Sequence, residues 1–273
     1  MIGYNQPRPK EEQYTEFIHK IIKGLKKLKQ EGLCLMIHGS YVRGDYIPGR
    51  SDIDSTMILP NDVVTDKKLM RGIAHATHIA LKGNNVEFQV TPLDTTTMRD
   101  GRFNSYTHEF MAYFNTEGKI LVGPDYRPQM KCLESKVGEM STLSHNLRKV
   151  RMGLIFAEKN MKEDYEEYLK QFMSTLKATS RGSKQVLFLA DGGLRKNRFS
   201  ALKELPKKFP EVNSGPLEEI KYYFDKPHRL DILFKSGEGV LKLQEESVTM
   251  LEEIIRAYIR RNPIKIKKKT KSL

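Results

Sequence analysis

A mixed α/β (α+β) domain followed by an all-helical bundle is the fold class this sequence predicts, on three observations. Two short apolar segments, Leu33 to Ile37 and Ile53 to Leu59, enclose a polar turn rich in Gly, Ser and Asp, the pattern of two strands joined through a functional loop. The flanking stretches, Lys10 to Gln30 and Lys67 to Leu81, carry their apolar residues at helical spacing. Beyond Pro124 strand signals stop and only helical periods follow. The expected division is a catalytic domain over residues 1–124, a helical domain over 125–262 and a basic tail over 263–273.

The bulk properties narrow the class. A chain of 273 residues has room for two cores, and 30% charged with 38% hydrophobic residues suits a soluble globular protein. The longest apolar run is about five residues, too short to span a bilayer. The opening MIGYNQPRPKEE lacks the apolar segment of a signal peptide. Cys34 falls in a predicted core strand, so Cys34 and Cys132 read as thiols of a cytoplasmic protein, not as a disulfide. The net charge of +13 favours polyanionic partners, nucleotides and RNA among them. Part of that charge lies in residues 265–271, KIKKKTK, a solvated extension by composition.

Taken in order, the first helix presents Tyr14, Phe17, Ile18, Ile21, Leu25 and Leu28 as one packing stripe, with Pro7 and Pro9 before it and Gly32 after it. The strand Leu33 to Ile37 then runs into Gly39-Ser40. Gly39 lets backbone come close to a ligand, Ser40 and the following amides offer donors at a short helix, and Arg43 adds a planar fork one turn on. The next strand opens with Asp52-Ile53-Asp54, whose two carboxylates share one face about 7 Å apart at their Cα atoms. Such a pair repels itself unless a cation intervenes, and oxygen-only ligation suits Mg²⁺. Metal carboxylates beside a phosphate cradle point to a nucleoside triphosphate.

A helix from Lys67 to Leu81 follows the capping signals Asp62 and Asp66, and Val86 to Leu93 forms the next strand, with Glu87 and Gln89 on one face. Asp94 to Asn104 reads as a polar loop, Tyr106 to Phe114 as a helix, and Lys119 to Val122 as a short strand halted by Gly123-Pro124. In the second half Leu143, Leu147, Val150 and Leu154, then Tyr165, Tyr168, Leu169, Phe172 and Leu176, give helical stripes, with one break near Asn160 as an option. Ser180-Arg181-Gly182-Ser183 reads as an interruption, with a new helix from Lys184 to Ala190. Pro216 to Phe224 and Gly239 to Arg261 close the chain.

Over Met36 to Leu59 the sequence resembles the DNA polymerase beta-like nucleotidyltransferase superfamily, whose signature is an apolar residue, Gly-Ser, a spacer, then Asp-x-Asp between apolar residues. The resemblance implies a small mixed or mostly antiparallel sheet with helices at one side. It makes Asp52 and Asp54 ligands of Mg²⁺ in a two-metal site and Glu87 the third acid, either metal ligand or general base. Gly39, Ser40 and Arg43 would hold the triphosphate.

Leu121-Val122-Gly123-Pro124 is also similar to the aminoglycoside nucleotidyltransferases of kanamycin and streptomycin type. Gly182-Ser183-Lys184 looks similar to a helix start in their C-terminal domain, which adds Lys184 to the nucleotide-binding set. In that family a helical domain caps the nucleotide and shapes the acceptor pocket, for which Glu158, Glu163 and Glu166 are candidates. The implied activity is transfer of a nucleoside monophosphate, with ATP as first donor, to the hydroxyl of a small acceptor.

Alternatives stay open: an RNA 3′ end, since Tyr41 to Asp54 is also similar to the archaeal-type CCA-adding enzymes, AMP transfer onto a protein, or a non-catalytic nucleotide-binding regulator. The intact Asp52/Asp54 pair argues against the last. No Rossmann glycine pattern and no Walker lysine motif is present. Oligomeric state is not legible.

Overall fold

A computed structural model describes residues 8–102, 106–132, 136–195 and 197–263. The lysines predicted as a tail, 265–271, lie outside the described residues. The chain divides into two compact units between Thr142 and Leu143. Among the described residues no helix is long and apolar enough to cross a membrane.

In the first unit, α1 (Glu11–Lys27) leads into β1 (Cys34–His38), the one-turn α2 (Ser40–Arg43), β2 (Ile53–Leu59), α3 (Lys67–Leu81) and β3 (Phe88–Asp94). Two short helices, α4 (Thr95–Asp100) and α5 (His108–Glu117), precede β4 (Lys119–Val122). The sheet order is β3-β2-β1-β4, with β1 antiparallel to both β2 and β4 and β2 parallel to β3. The parallel pair follows from α3, because a parallel strand needs a crossover helix. The mixed sheet is therefore the expected one.

Strand alternation sorts the core. Leu35, Ile37, Ile53, Met57 and Leu59 pack on α1 and α3, while Cys34, Met36 and Ile58 face Met98 of α4 and Met111 and Phe114 of α5. Helices thus cover both faces of the sheet, not one side only. The expected polar loop after Asp94 is largely α4: the Asp94 carboxylate accepts from the amides of Thr96 and Thr97 and caps it. Burial pushes the Cys34 thiol up to about 12, and neither Cys34 nor Cys132 forms a disulfide.

The second unit is helical. It contains α6 (Lys136–Ile155), which crosses the division, then α7 (Ala157–Glu163), α8 (Tyr165–Asp191), α9 (Ala201–Lys208), α10 (Gly215–Asp225), α11 (Pro227–Leu233) and α12 (Gly237–Arg261). The breaks fall at Phe156 and Asp164, either side of Asn160. The interruption expected at residues 180–183 does not occur, and α8 runs straight through. Gly182 there is a packing glycine: a Cβ would lie 2.6 Å from Leu251 Cδ1. The neighbouring hydroxyls stay inside the bundle, Thr179 Oγ1 donating to Ser247 O at 3.0 Å and Ser183 Oγ to Thr179 O at 2.9 Å.

Candidate active site

In the first unit, the residues that the sequence nominates for a site cluster around the start of β2. His38 pairs across the antiparallel register with Asp54, and Gln89 pairs with Asp54 across the parallel one. Ile53 pairs with Phe88, and its amide donates to the Glu87 carbonyl at 2.9 Å. Alternation therefore sets Glu87 level with Asp52 on the face that also carries Asp54. Glu87 precedes β3 by one residue and does not lie within it. Continued past the strand ends, the same alternation predicts all three acids on one side of the sheet.

Gly39 bends the chain between β1 and α2 at φ 80°, ψ −156°. A side chain there would overlap Asp54 Oδ2, so glycine is demanded twice, by conformation and by the carboxylate against its α-carbon. Arg43 N–H donates to Gly39 O and Asp45 N–H to Ser40 O, both at 3.1 Å, and Gly44 ends the turn in the left-handed region. Arg43 is not waiting with an open fork. Its Nη1 donates to Glu117 Oε1 at 2.9 Å and its Nε to Asp45 Oδ1 at 3.2 Å. Glu117 Oε1 also accepts from the Gly39 amide at 3.3 Å. Burial opposes the Arg43 charge, and Glu117 and Asp45 more than offset it, raising its pKa.

Tyr14, which the sequence offers only as part of a packing stripe, and His38, to which it assigns no role, both lie beside the candidate site. Tyr14 of α1 accepts from Gly49 N–H at 3.0 Å and donates to Ser51 O at 2.8 Å, pinning the loop that delivers Asp52. Its ring meets those of Tyr41 and Tyr46 at 6.0 and 5.2 Å. Burial lifts the Tyr14 phenol to about 12, and the charges of Asp52 and Glu87 add to the shift, so this hydroxyl feels both acids. His38 stands beside Asp54 with its ring edge-on to Phe110 and Phe114, and its Nε2 lies 3.3 Å from Thr56 Oγ1. Thr56 in turn contacts the Tyr106 hydroxyl. No motif marks these residues. Tyr14 sits in an ordinary apolar stripe, and Glu117 is separated from the Gly-Ser turn by most of the domain.

Lys184 belongs to the second unit, in the middle of α8 and not at a helix start. It is buried, and its Nζ donates to Arg195 O at 3.2 Å. Glu158, Glu163 and Glu166 stand on α7 and α8 in i,i+4 pairs with Lys162, Lys159 and Lys170. Among the described residues no three His, Cys, Asp or Glu side chains are arranged to hold a metal ion alone. A carboxylate pair still fits Mg²⁺, which takes one or two carboxylates and completes its shell with water and substrate oxygens.

A family model described as a nucleotidyltransferase domain matches residues 18–87, from α1 to Glu87. Comparison with curated proteins finds no match. The matched span holds Gly39, Ser40, Arg43, Asp52, Asp54 and Glu87, while Lys184 lies outside it.

Proposed function

We propose, starting from a nucleotidyltransferase domain over residues 18–87, that this protein transfers a nucleoside monophosphate from a triphosphate, ATP first among donors, to an acceptor hydroxyl. The observation that supports the reading is the register that pairs Ile53 with Phe88 and Asp54 with Gln89, with the Gly39 turn pressed against Asp54. Asp52 and Asp54 would hold Mg²⁺, which when bound offsets charge on the triphosphate oxygens. The Gly39-Ser40 turn, followed by Arg43, would hold the phosphates and align the α-phosphorus for in-line attack. Glu87, one residue before β3, would accept the acceptor's proton or serve as a further metal ligand.

Two acceptor classes divide the reading. A small hydroxylated acceptor of aminoglycoside type is supported by Leu121 to Pro124, but its second support weakens because Gly182-Ser183-Lys184 is interior helix. RNA is favoured by the basic outer faces of α1 and α3, described below.

The test is incubation with each α-labelled triphosphate and Mg²⁺ against pools of tRNA, aminoglycosides and protein. Label should appear in one pool and fall about 10²–10³-fold in Asp52→Asn and Asp54→Asn. Turnover above about a tenth of wild type in both variants would remove these carboxylates from the chemistry.

A further inference from the structure

Helices α1 and α3 lie side by side over the sheet. A Cβ on Gly24 would lie 2.9 Å from Ala76 Cβ and one on Gly72 3.0 Å from Leu28 Cδ2, so the helices run antiparallel. The C-terminal end of α1 therefore sits beside the N-terminal end of α3, and there the outward surface is basic. Lys23, Lys26, Lys27 and Lys29 gather with Ile22 and His19 around one shallow, open stretch of the α1 surface. Lys67, Lys68 and Arg71 are exposed on the adjoining end of α3. Among the described residues none of these seven cations is in an ion pair with a carboxylate, and the pair near them on α1 is Lys20 with Glu16.

On α3 this concentration works against the helix, whereas Lys26 and Lys27 in the last turn of α1 suit its dipole. The N-terminal end of a helix is the positive end of its dipole, where acidic side chains stabilise and basic ones do not. The first turn of α3 contains no acid, and the helix relies on Asp66, whose carboxylate caps the Lys68 amide at 2.8 Å. Like charges crowded from two helices onto one surface repel unless an external anion meets them.

The surface is also remote from the carboxylates. Strand β2 starts beside Asp52 and ends at Leu59 near the start of α3, and five residues from Asp54 to Leu59 span about 17 Å. A triphosphate at the carboxylates does not reach that far, whereas a polymer of phosphates does.

We propose that the α1–α3 face docks the phosphate backbone of an RNA strand. The lysines provide sequence-independent attraction along the strand, and their four-carbon stems reach phosphates without demanding one geometry. The choice of RNA rests on the transfer reading above, because every RNA nucleotide carries a 2′-hydroxyl of the kind a transferase uses as acceptor. The docking itself rests on the charges alone.

The experiment measures binding of a labelled single-stranded RNA to the full chain by anisotropy across a salt series. Each lost phosphate contact lowers the slope of log affinity against log salt by about 0.7 for single strands. Lys26→Glu with Lys27→Glu, and separately Lys67→Glu with Lys68→Glu, are each expected to flatten the slope by about 1.4. Lys203→Glu with Lys207→Glu on α9 should leave it unchanged. The Lys67/Lys68 reversal should melt no lower than wild type, since it places acids at the positive end of α3, so lost binding there does not report unfolding.

Equal losses at the α1–α3 and α9 sites would overturn the proposal. So would unchanged RNA binding with selective loss of an acidic peptide, or a tenfold preference for a DNA strand of the same sequence. Asp52→Asn should bind RNA as wild type does. If no label is transferred by the wild-type protein yet the slopes flatten as expected, docking stands and the transfer reading fails.

Discussion

Glu117 contributes a negative charge to a turn expected to receive a more negative ligand. Its carboxylate holds both the Gly39 amide and Arg43, so it occupies donors that a phosphate would use. A unit charge about 6 Å from a phosphate oxygen costs about 3 kcal/mol at an effective dielectric of about 20. Screening in a partly exposed site leaves about 1 kcal/mol. Glu117→Gln keeps an acceptor for Gly39 and removes the charge, so the KM for triphosphate should fall about fivefold. Steady-state kinetics decides this, and a raised KM would make Glu117 a support of the cradle in place of a competitor.

Tyr14 offers a second prediction at the same scale. Tyr14→Phe leaves the Gly49 amide without its acceptor, a loss of about 1–3 kcal/mol, and should lower the melting temperature while cutting turnover through a loosened Asp52 loop. The folded-state pKa of about 12 lies above the unfolded value near 10. The phenol's contribution is thus complete below about pH 10 and disappears as pH rises through 12. The stability gap between wild type and Tyr14→Phe should narrow across that window in chemical denaturation.

Among the elements, the end of α8 is tied by charge. Asp191 accepts from Arg195 Nη1 and Nη2, each at 2.7 Å, and from Lys208 Nζ at 2.6 Å, and Arg195 reaches on to Glu204 at 2.6 Å. Arg195 holds the Asp191 carboxyl far below the usual carboxylate range, against the opposing effect of burial. A depressed folded-state pKa means stability present above the unfolded value of about 3.9 and lost as pH falls below it. Asp191→Asn should cost about 1.5–3 kcal/mol at pH 7, and that cost should shrink on acidification, as urea titrations at pH 7 and pH 3 would record.

In the same bundle Gln244 of α12 is fully buried, and among the described residues neither amide atom has a hydrogen-bond partner. Gln244→Met should therefore raise stability by about 1 kcal/mol, and a calorimetric decrease would mean that ordered water satisfies the amide.

Legibility also varied by element. β1, β2, β4, α1 and α3 could be read because each carries one clean period between strong stops. α4 was missed because its signal is a single capping carboxylate, Asp94, in a polar stretch. The continuity of α8 was missed because Gly182 and its hydroxylated neighbours look like a break in sequence and act as close-packing contacts in space. Of the candidate site, the sequence names the turn and the three acids as expectations, while Tyr14 and Glu117 come near that turn and its loop only through tertiary pairing.

For the whole molecule, a net charge of +13 predicts a fold under self-repulsion. Raising NaCl from about 0.05 to 0.5 M shortens the Debye length severalfold and should raise the melting temperature, whereas an unchanged midpoint would mean the cations are already neutralised within the fold. The parallel pairing of β2 with β3 has a consequence in time. The strand that follows Glu87 joins the strand that follows Asp52 only after the α3 crossover has closed, and pairings between distant parts of a chain pay their entropy before any contact rewards them. A growing or refolding chain can thus hold a formed β1–β2 hairpin and a formed α1 while Glu87 remains apart from Asp52 and Asp54. On the proposed function, helix content should return before triphosphate binding does, and that binding would date from the closing of one strand.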